Sequence, residues 1–224
     1  EQSVDIMVDN IKEANIIFFA GGFSAADEPD GSAKFIVNIL LNEKVRSAID
    51  SFIEKGGLLI GICNGFQALV KSGLLPYGNF AEADDTSPTL FYNDANQHVA
   101  KMVETRIANT NSPWLAGVHV GDVHAIAVSH GEGKFIVTPE EFAVLRDNGQ
   151  IFSQYVDGNG QPSMDSKYNP NGSMNAIEGI TSRNGQIIGK MGHSERWEDG
   201  LFQNIPGNKD QKLFESAVRY FTGK

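Results

Sequence analysis

The chain's only cysteine ends an apolar run, Leu58-Leu59-Ile60-Gly61-Ile62, and Asn64-Gly65-Phe66-Gln67 follows it at once. Such a run reads as a strand buried on both faces, the kind found inside parallel sheets. Its abrupt stop at Cys63, between Gly61 and Gly65, predicts a sharp strand-to-helix corner with the thiol at the tip, because glycine removes side chains where a backbone turns. A helix beginning just beyond would aim its free N–H groups and positive dipole end at the sulfur. That placement favours thiolate over thiol and offers the Asn64 N–H to an oxyanion. A free cysteine is most often a small buried apolar side chain. The Gly-x-Cys-x-Gly setting is what makes Cys63 a candidate nucleophile.

The flanking segments supply the layers such a strand needs. Residues 15–20 read as another buried strand, running into Gly21-Gly22-Phe23-Ser24, and residues 25–32 are polar with Pro29 and Gly31. From 33 to 53 the apolar residues Ile36, Val37, Leu40, Leu41, Val45, Ala48, Ile49, Phe52 and Ile53 fall on one face, predicting a single helix of about five turns. Gly56-Gly57 ends it, and a short helix after Cys63 closes at Ser72-Gly73 and Pro76. Strand, helix, strand, helix implies α/β architecture: an open, mostly parallel sheet flanked by helices.

Beyond residue 80 the helical period fades. Residues 97–108 support a strand weakly and 123–128 better, the latter running into Ser129-His130-Gly131-Glu132-Gly133. Further strands are expected at 142–145 and 151–156, separated by Asp147-Asn148-Gly149. Residues 177–181 and 186–191 flank Arg183-Asn184-Gly185, a strong hairpin signal that adds antiparallel strands to the sheet. Residues 209–222 form an amphipathic helix with Leu213, Phe214, Ala217, Val218 and Phe221 on one side. No repeat or linker divides the 224 residues, so one domain spanning 1–224 is expected.

A formal net charge of -10 argues against non-specific nucleic-acid binding, since no overall positive field attracts phosphates. A single cysteine cannot form an internal disulfide, which fits a reducing, cytoplasmic setting. No apolar stretch approaches the roughly 18 residues of a membrane span.

A thiol nucleophile needs a base, and histidine is the usual one. Of the five histidines, His98, His119 and His124 sit in ordinary strand or loop contexts, and His119, His124 and His130 lack the parity and the second cysteine of a zinc site, so no metal is expected. His193 differs, because Glu195 lies two residues on and would share its side in an extended segment. A carboxylate so placed fixes the imidazole tautomer and completes a Cys63, His193, Glu195 triad. In open parallel sheets reactive groups gather at the carboxyl ends of strands, and Gly22, Cys63 and His193 each follow a predicted strand. Acyl transfer through a thioester is the chemistry such a cluster performs.

Gly61-Ile62-Cys63-Asn64-Gly65-Phe66-Gln67, with Gly192-His193-Ser194-Glu195 downstream, resembles the nucleophile and His-x-Glu motifs of the class I, triad-type glutamine amidotransferases. Gly21-Gly22-Phe23-Ser24, the 129–133 segment, Asn169-Pro170-Asn171-Gly172-Ser173 and Gly179-Ile180-Thr181-Ser182 are similar to one subfamily, the C-terminal glutaminase domains of phosphoribosylformylglycinamidine synthases. The resemblance spans most of the chain, and six motifs in the right order are highly specific. It implies a flavodoxin-like fold in which Cys63 forms the γ-glutamyl thioester, His193 is general acid and base, and Glu195 orients it. The N–H groups of Gly22 and Asn64 would form the oxyanion hole. Gln67 and the backbone around Ser129 and His130 would hold L-glutamine, without a cofactor in this domain. Ammonia would pass to a synthetase domain of the same polypeptide, which uses ATP and Mg to convert formylglycinamide ribonucleotide to the amidine.

The resembled family usually begins with a further strand and helix, whereas this chain opens at Glu1-Gln2-Ser3. The expectation is a C-terminal fragment of a longer synthase that lacks the first strand and helix. One rival is a cysteine-elbow hydrolase of the related peptidase or glyoxalase-like families, in which a histidine would typically follow the cysteine where Asn64 stands. The other is a non-catalytic regulatory domain, whose decay normally removes a triad member.

Overall fold

The computed structural model describes residues 2–22 and 33–223; Phe23, Ser24 and the polar segment through Ser32 lie outside the described residues. Helix α1 (Gln2–Glu13) leads into strand β1 (Ile16–Phe19). The stretch expected as one helix over 33–53 is two, α2 (Lys34–Leu40) and α3 (Glu43–Glu54). Asn42 parts them: its backbone is extended and its side chain accepts a hydrogen bond from the Lys44 N–H, a cap that starts a new helix. The apolar period continues through the break, so α3 still buries Val45, Ala48, Ile49 and Phe52.

Strand β2 (Leu58–Ile62) is buried along its whole length and runs into α4 (Asn64–Lys71), followed by the short α5 (Leu74–Tyr77). The middle of the chain supplies β3 (Thr89–Tyr92), β4 (Val99–Ile107), β5 (Val123–His130) and β6 (Glu132–Ile136). Residues 142–145, expected as a strand, belong to helix α6 (Pro139–Asp147). Pro139 sits at its start and the Thr138 side chain accepts from the Glu141 N–H at 3.1 Å, so the cap decides what a four-residue apolar run could not. Strands β7 (Ile151–Tyr155), β8 (Ile177–Thr181) and β9 (Ile187–Lys190) and helix α7 (Leu213–Thr222) follow, with short 3-10 turns at Pro113–Leu115, Met174–Ala176 and Ser194–Arg196.

Among the described residues seven strands form one sheet in the order β1-β2-β9-β8-β7-β4-β5, and β3 pairs with β6 in a separate two-stranded ladder. The α/β fold flanked by helices is as expected, with a smaller parallel share: β1, β2 and β9 run parallel, and every pairing from β9 to β5 is antiparallel. The expected hairpin across Asn184-Gly185 is β8 and β9. Strand β1 is only partly buried, because it lies at the sheet edge, and Phe18 is 39% exposed there. On α7, Leu213 and Ala217 are buried, whereas Val218 and Phe221 of its expected apolar side are exposed. Among the described residues no helix is long and apolar enough to cross a membrane.

Candidate active site

The three parallel strands end side by side. Phe19, Gly61 and Gly189 share one register row, so Gly21 and Gly22 after β1, Cys63 after β2 and His193 after β9 emerge at the same edge of the sheet. Cys63 has φ 53° and ψ −108°, a conformation that side chains of its hand rarely adopt and that costs about 1–3 kcal/mol. Its N–H donates to the Lys190 carbonyl at 2.8 Å and its carbonyl accepts from the Gln67 N–H at 3.0 Å, which holds the strained residue from both sides. The flanking glycines serve a different purpose from the one expected. A Cβ on Gly65 would lie 2.0 Å from the Phe19 carbonyl oxygen, and one on Gly61 would lie 2.7 Å from the Gly65 backbone. They permit α4 to cross the strands closely, while the sharp turn is borne by Cys63 itself.

Cys63 is 7% exposed, and burial pushes its thiol up to about 11. The backbone N–H groups of Asn64 and Gly22 and the charge of Arg196 oppose that rise, and Glu195 adds to it. Desolvation thus opposes the expected preference for thiolate and favours the neutral thiol, which calls for a base at the moment of attack. The two N–H groups directed at it are those expected for an oxyanion hole.

His193 is buried, and its Nδ1 lies 2.6 Å from Glu195 Oε1. Burial would raise the Glu195 carboxyl, but the hydrogen bond and charge of His193 prevail and hold it below the usual carboxylate range. With Nδ1 engaged, Nε2 is the remaining edge of the ring and has no hydrogen-bond partner among the described residues. A Cβ built on Gly21 would lie 2.7 Å from His193 Cε1 and 3.0 Å from Cys63 Cβ, so the two side chains flank one point above the sheet edge.

A cavity of about 100 Å³ opens beside the thiol. It is lined by Gly22, Cys63, Asn64, Gln67, Ser129 and His130, which brings every expected oxyanion and glutamine-binding residue to one place. Gly131, Glu132 and Arg196 also line it, without having been assigned a role from sequence. The Arg196 guanidinium is the one cation among these walls; its adjacency to the His-x-Glu motif was the available signal. Gln67 is buried, and its amide donates to the Glu132 carbonyl at 2.9 Å, tying α4 to the 129–133 segment. Asn93 donates to the carbonyls of Gln97 and His130, so its oxygen faces His130 Nδ1 at 3.2 Å. That arrangement places a proton on Nδ1, and burial pushes the His130 pKa down to about 4. His98, bonded to the Ser129 hydroxyl at 3.1 Å, and His119 and His124 do not line the cavity. Among the described residues no group of three or more acidic, histidine or cysteine side chains is disposed to hold a metal ion.

The model of the CobB/CobQ-like glutamine amidotransferase domain matches residues 2–221, nearly the whole chain. The chain belongs to this glutamine amidotransferase family. Among its relatives, the phosphoribosylformylglycinamidine synthase subunit PurQ of Gloeobacter violaceus is 33% identical over 210 residues, covering 94% of this chain and 82% of that protein. The same subunit of Acaryochloris marina is 35% identical over 190 residues, covering 85% and 73%. A chain of the PurLQS structure from Thermotoga maritima superposes with a TM-score of 0.68 at 25% identity, covering 93% of this chain and 81% of that one. The glutaminase domain of a Trypanosoma brucei CTPS with bound acivicin shares the fold alone, at 14% identity and a TM-score of 0.52 over 96% of this chain and 75% of that one. In this amidotransferase the edge formed by β1, β2 and β9 is thus the place where the family's chemistry is to be sought.

Proposed function

We propose that this amidotransferase is the glutaminase of a phosphoribosylformylglycinamidine synthase, hydrolysing L-glutamine to glutamate and ammonia. The observation that carries the reading is a strained cysteine with two backbone N–H groups directed at it, beside a buried histidine paired with a carboxylate. Glutamine enters the cavity, and the Cys63 thiol gives its proton to His193 Nε2 as sulfur bonds to the carbonyl carbon of the side-chain amide, Cδ. The Gly22 and Asn64 N–H groups hold the resulting oxyanion. The C–N bond then breaks, and His193 returns the proton to the departing nitrogen, which leaves as ammonia. Water, deprotonated by His193, releases glutamate from the thioester and restores the thiol. Glu195 holds the ring with Nε2 toward the sulfur and stabilises the transient imidazolium.

The names of the relatives and the sequence motifs support formylglycinamide ribonucleotide as the ultimate acceptor of the ammonia. The partner is then an ATP-dependent synthetase; the relatives are named as a subunit, PurQ, of the synthase, which supports a separate chain as its carrier rather than the same polypeptide. Treatment with a glutamine-analogue electrophile tests the site: Cys63 is expected to be modified, and glutamine to protect it. A thiol that stays unmodified, or that glutamine does not protect, overturns the reading.

A further inference from the structure

Strand β9 ends in a lysine whose side chain is completely buried, directly beneath the loop that carries His193. Removing an ammonium from water costs several kcal/mol unless its partners are well placed. Lys190 Nζ donates to the Ser194 hydroxyl at 2.7 Å and to Gln211 Oε1 at 2.6 Å, and lies 3.4 Å from Glu178 Oε1 on β8, which is equally buried. The same Glu178 oxygen accepts the Gly192 N–H at 2.7 Å. Ser194 is also bonded to Gln211, whose amide reaches Thr105 on β4 at 3.4 Å. The residues gripped, 192 and 194, are the immediate neighbours of His193, whose own N–H donates to the Ala127 carbonyl at 2.8 Å.

A buried ion pair is a poor source of net stability, since an apolar pair of similar volume is often as good or better. What this one does is hold the two neighbours of His193, Gly192 through Glu178 and Ser194 through Lys190. We propose that the Lys190–Glu178 pair is a positioning device for His193: it grips the Gly192 backbone on one side of the histidine and the Ser194 hydroxyl on the other, and so sets the distance of Nε2 from the Cys63 sulfur. Lys190 and Glu178 are positioning residues that never meet substrate. The inference rests on His193 being the base.

The test follows ammonia release from glutamine by the full-length protein, with melting temperature measured alongside. Either single substitution strands a buried charge, so the informative variant is K190M/E178M, which removes both charges and keeps an apolar filling. It is expected to fold with a lowered melting temperature, since the Gly192 N–H and Gln211 Oε1 lose their partners, and, assayed below that temperature, to lose about 100-fold in kcat, the cost of a displacement near 1 Å. KM for glutamine should change by less than about threefold, because the cavity walls at Gln67 and residues 129–132 are untouched. A merely structural pair predicts the opposite: parental kcat wherever the variant is folded. S194A removes a single grip and leaves the pair whole, and should lower kcat about tenfold at unchanged KM. If the double variant does not fold, S194A decides, and parental kcat in it overturns the clamp. H193A separates the two failures: if it retains turnover, the assignment of the base is wrong, whereas loss in H193A beside full activity in K190M/E178M refutes the clamp alone.

Discussion

Replacing Gly21 by alanine places one methyl group between the two side chains that must exchange a proton. The new Cβ would lie 2.7 Å from His193 Cε1 and 3.0 Å from Cys63 Cβ. Carbon pairs settle at about 3.5–4.0 Å, so one of the two groups must retreat by about 1 Å. Cys63 is the stiffer, held by its backbone bonds to Lys190 and Gln67, and the imidazole ring is the one that moves, stretching its 2.6 Å contact with Glu195. Gly21 does not have the left-handed backbone that would itself exclude alanine. The expected loss in stability is therefore the overpacking cost of about 1–3 kcal/mol. Misplacing a catalytic group by about 1 Å costs about 100-fold, which is about 2.7 kcal/mol on the barrier. Glutamate formation at saturating glutamine, measured below the melting temperature of the variant, should fall by that factor. A kcat within about twofold of the parent would refute the reasoning, because the spacing of Cys63 and His193 would then not govern the rate.

Three further outcomes follow from the same geometry. With the Cys63 thiol raised from 9.0 to about 11, alkylation by iodoacetamide at pH 8 should run about 100-fold slower than for an ordinary thiol and climb about tenfold per pH unit; a rate flat with pH contradicts the burial argument. His130, pushed down to about 4, stays neutral in the folded protein while the unfolded chain takes up a proton near 6.5, so stability is full above that value and declines as pH falls from 6.5 toward 4. Urea unfolding at pH 7 and pH 5 should show that decline, and H130Q should reduce it, leaving the share of His124, whose pKa burial also lowers. G65A, with its Cβ 2.0 Å from a backbone oxygen, should destabilise by about 3 kcal/mol or more in urea unfolding; a change under about 1 kcal/mol would show that α4 can shift.

The parts legible in the sequence are those with a local cause. The glycine-bounded run to Cys63 is β2 and the start of α4, and Asn184-Gly185 is the turn between β8 and β9. Where the helices depart from the expected elements the cause is again local: Asn42 and Thr138 cap helices, and hydrophobic period alone sees neither. What could not be read depends on distant pairing. Strand β3 finds its partner β6 only through the folded chain, and β1 looks like a core strand although it lies at the edge of the sheet. In the candidate site, Gly22, Cys63 and His193 could be placed together because all three follow parallel strands. The rise of the Cys63 pKa and the buried Lys190 beneath the histidine follow from desolvation, which has no signature in residue order.

The central claim is that Cys63 carries the γ-glutamyl group of glutamine. Mass spectrometry of protein quenched in acid during glutamine turnover tests it most directly. A peptide containing Cys63 heavier by one γ-glutamyl group is expected, present with glutamine, absent with glutamate and lost in C63A. Glutamine turnover by C63A at the parental rate, or an acyl group found on another residue, would contradict it.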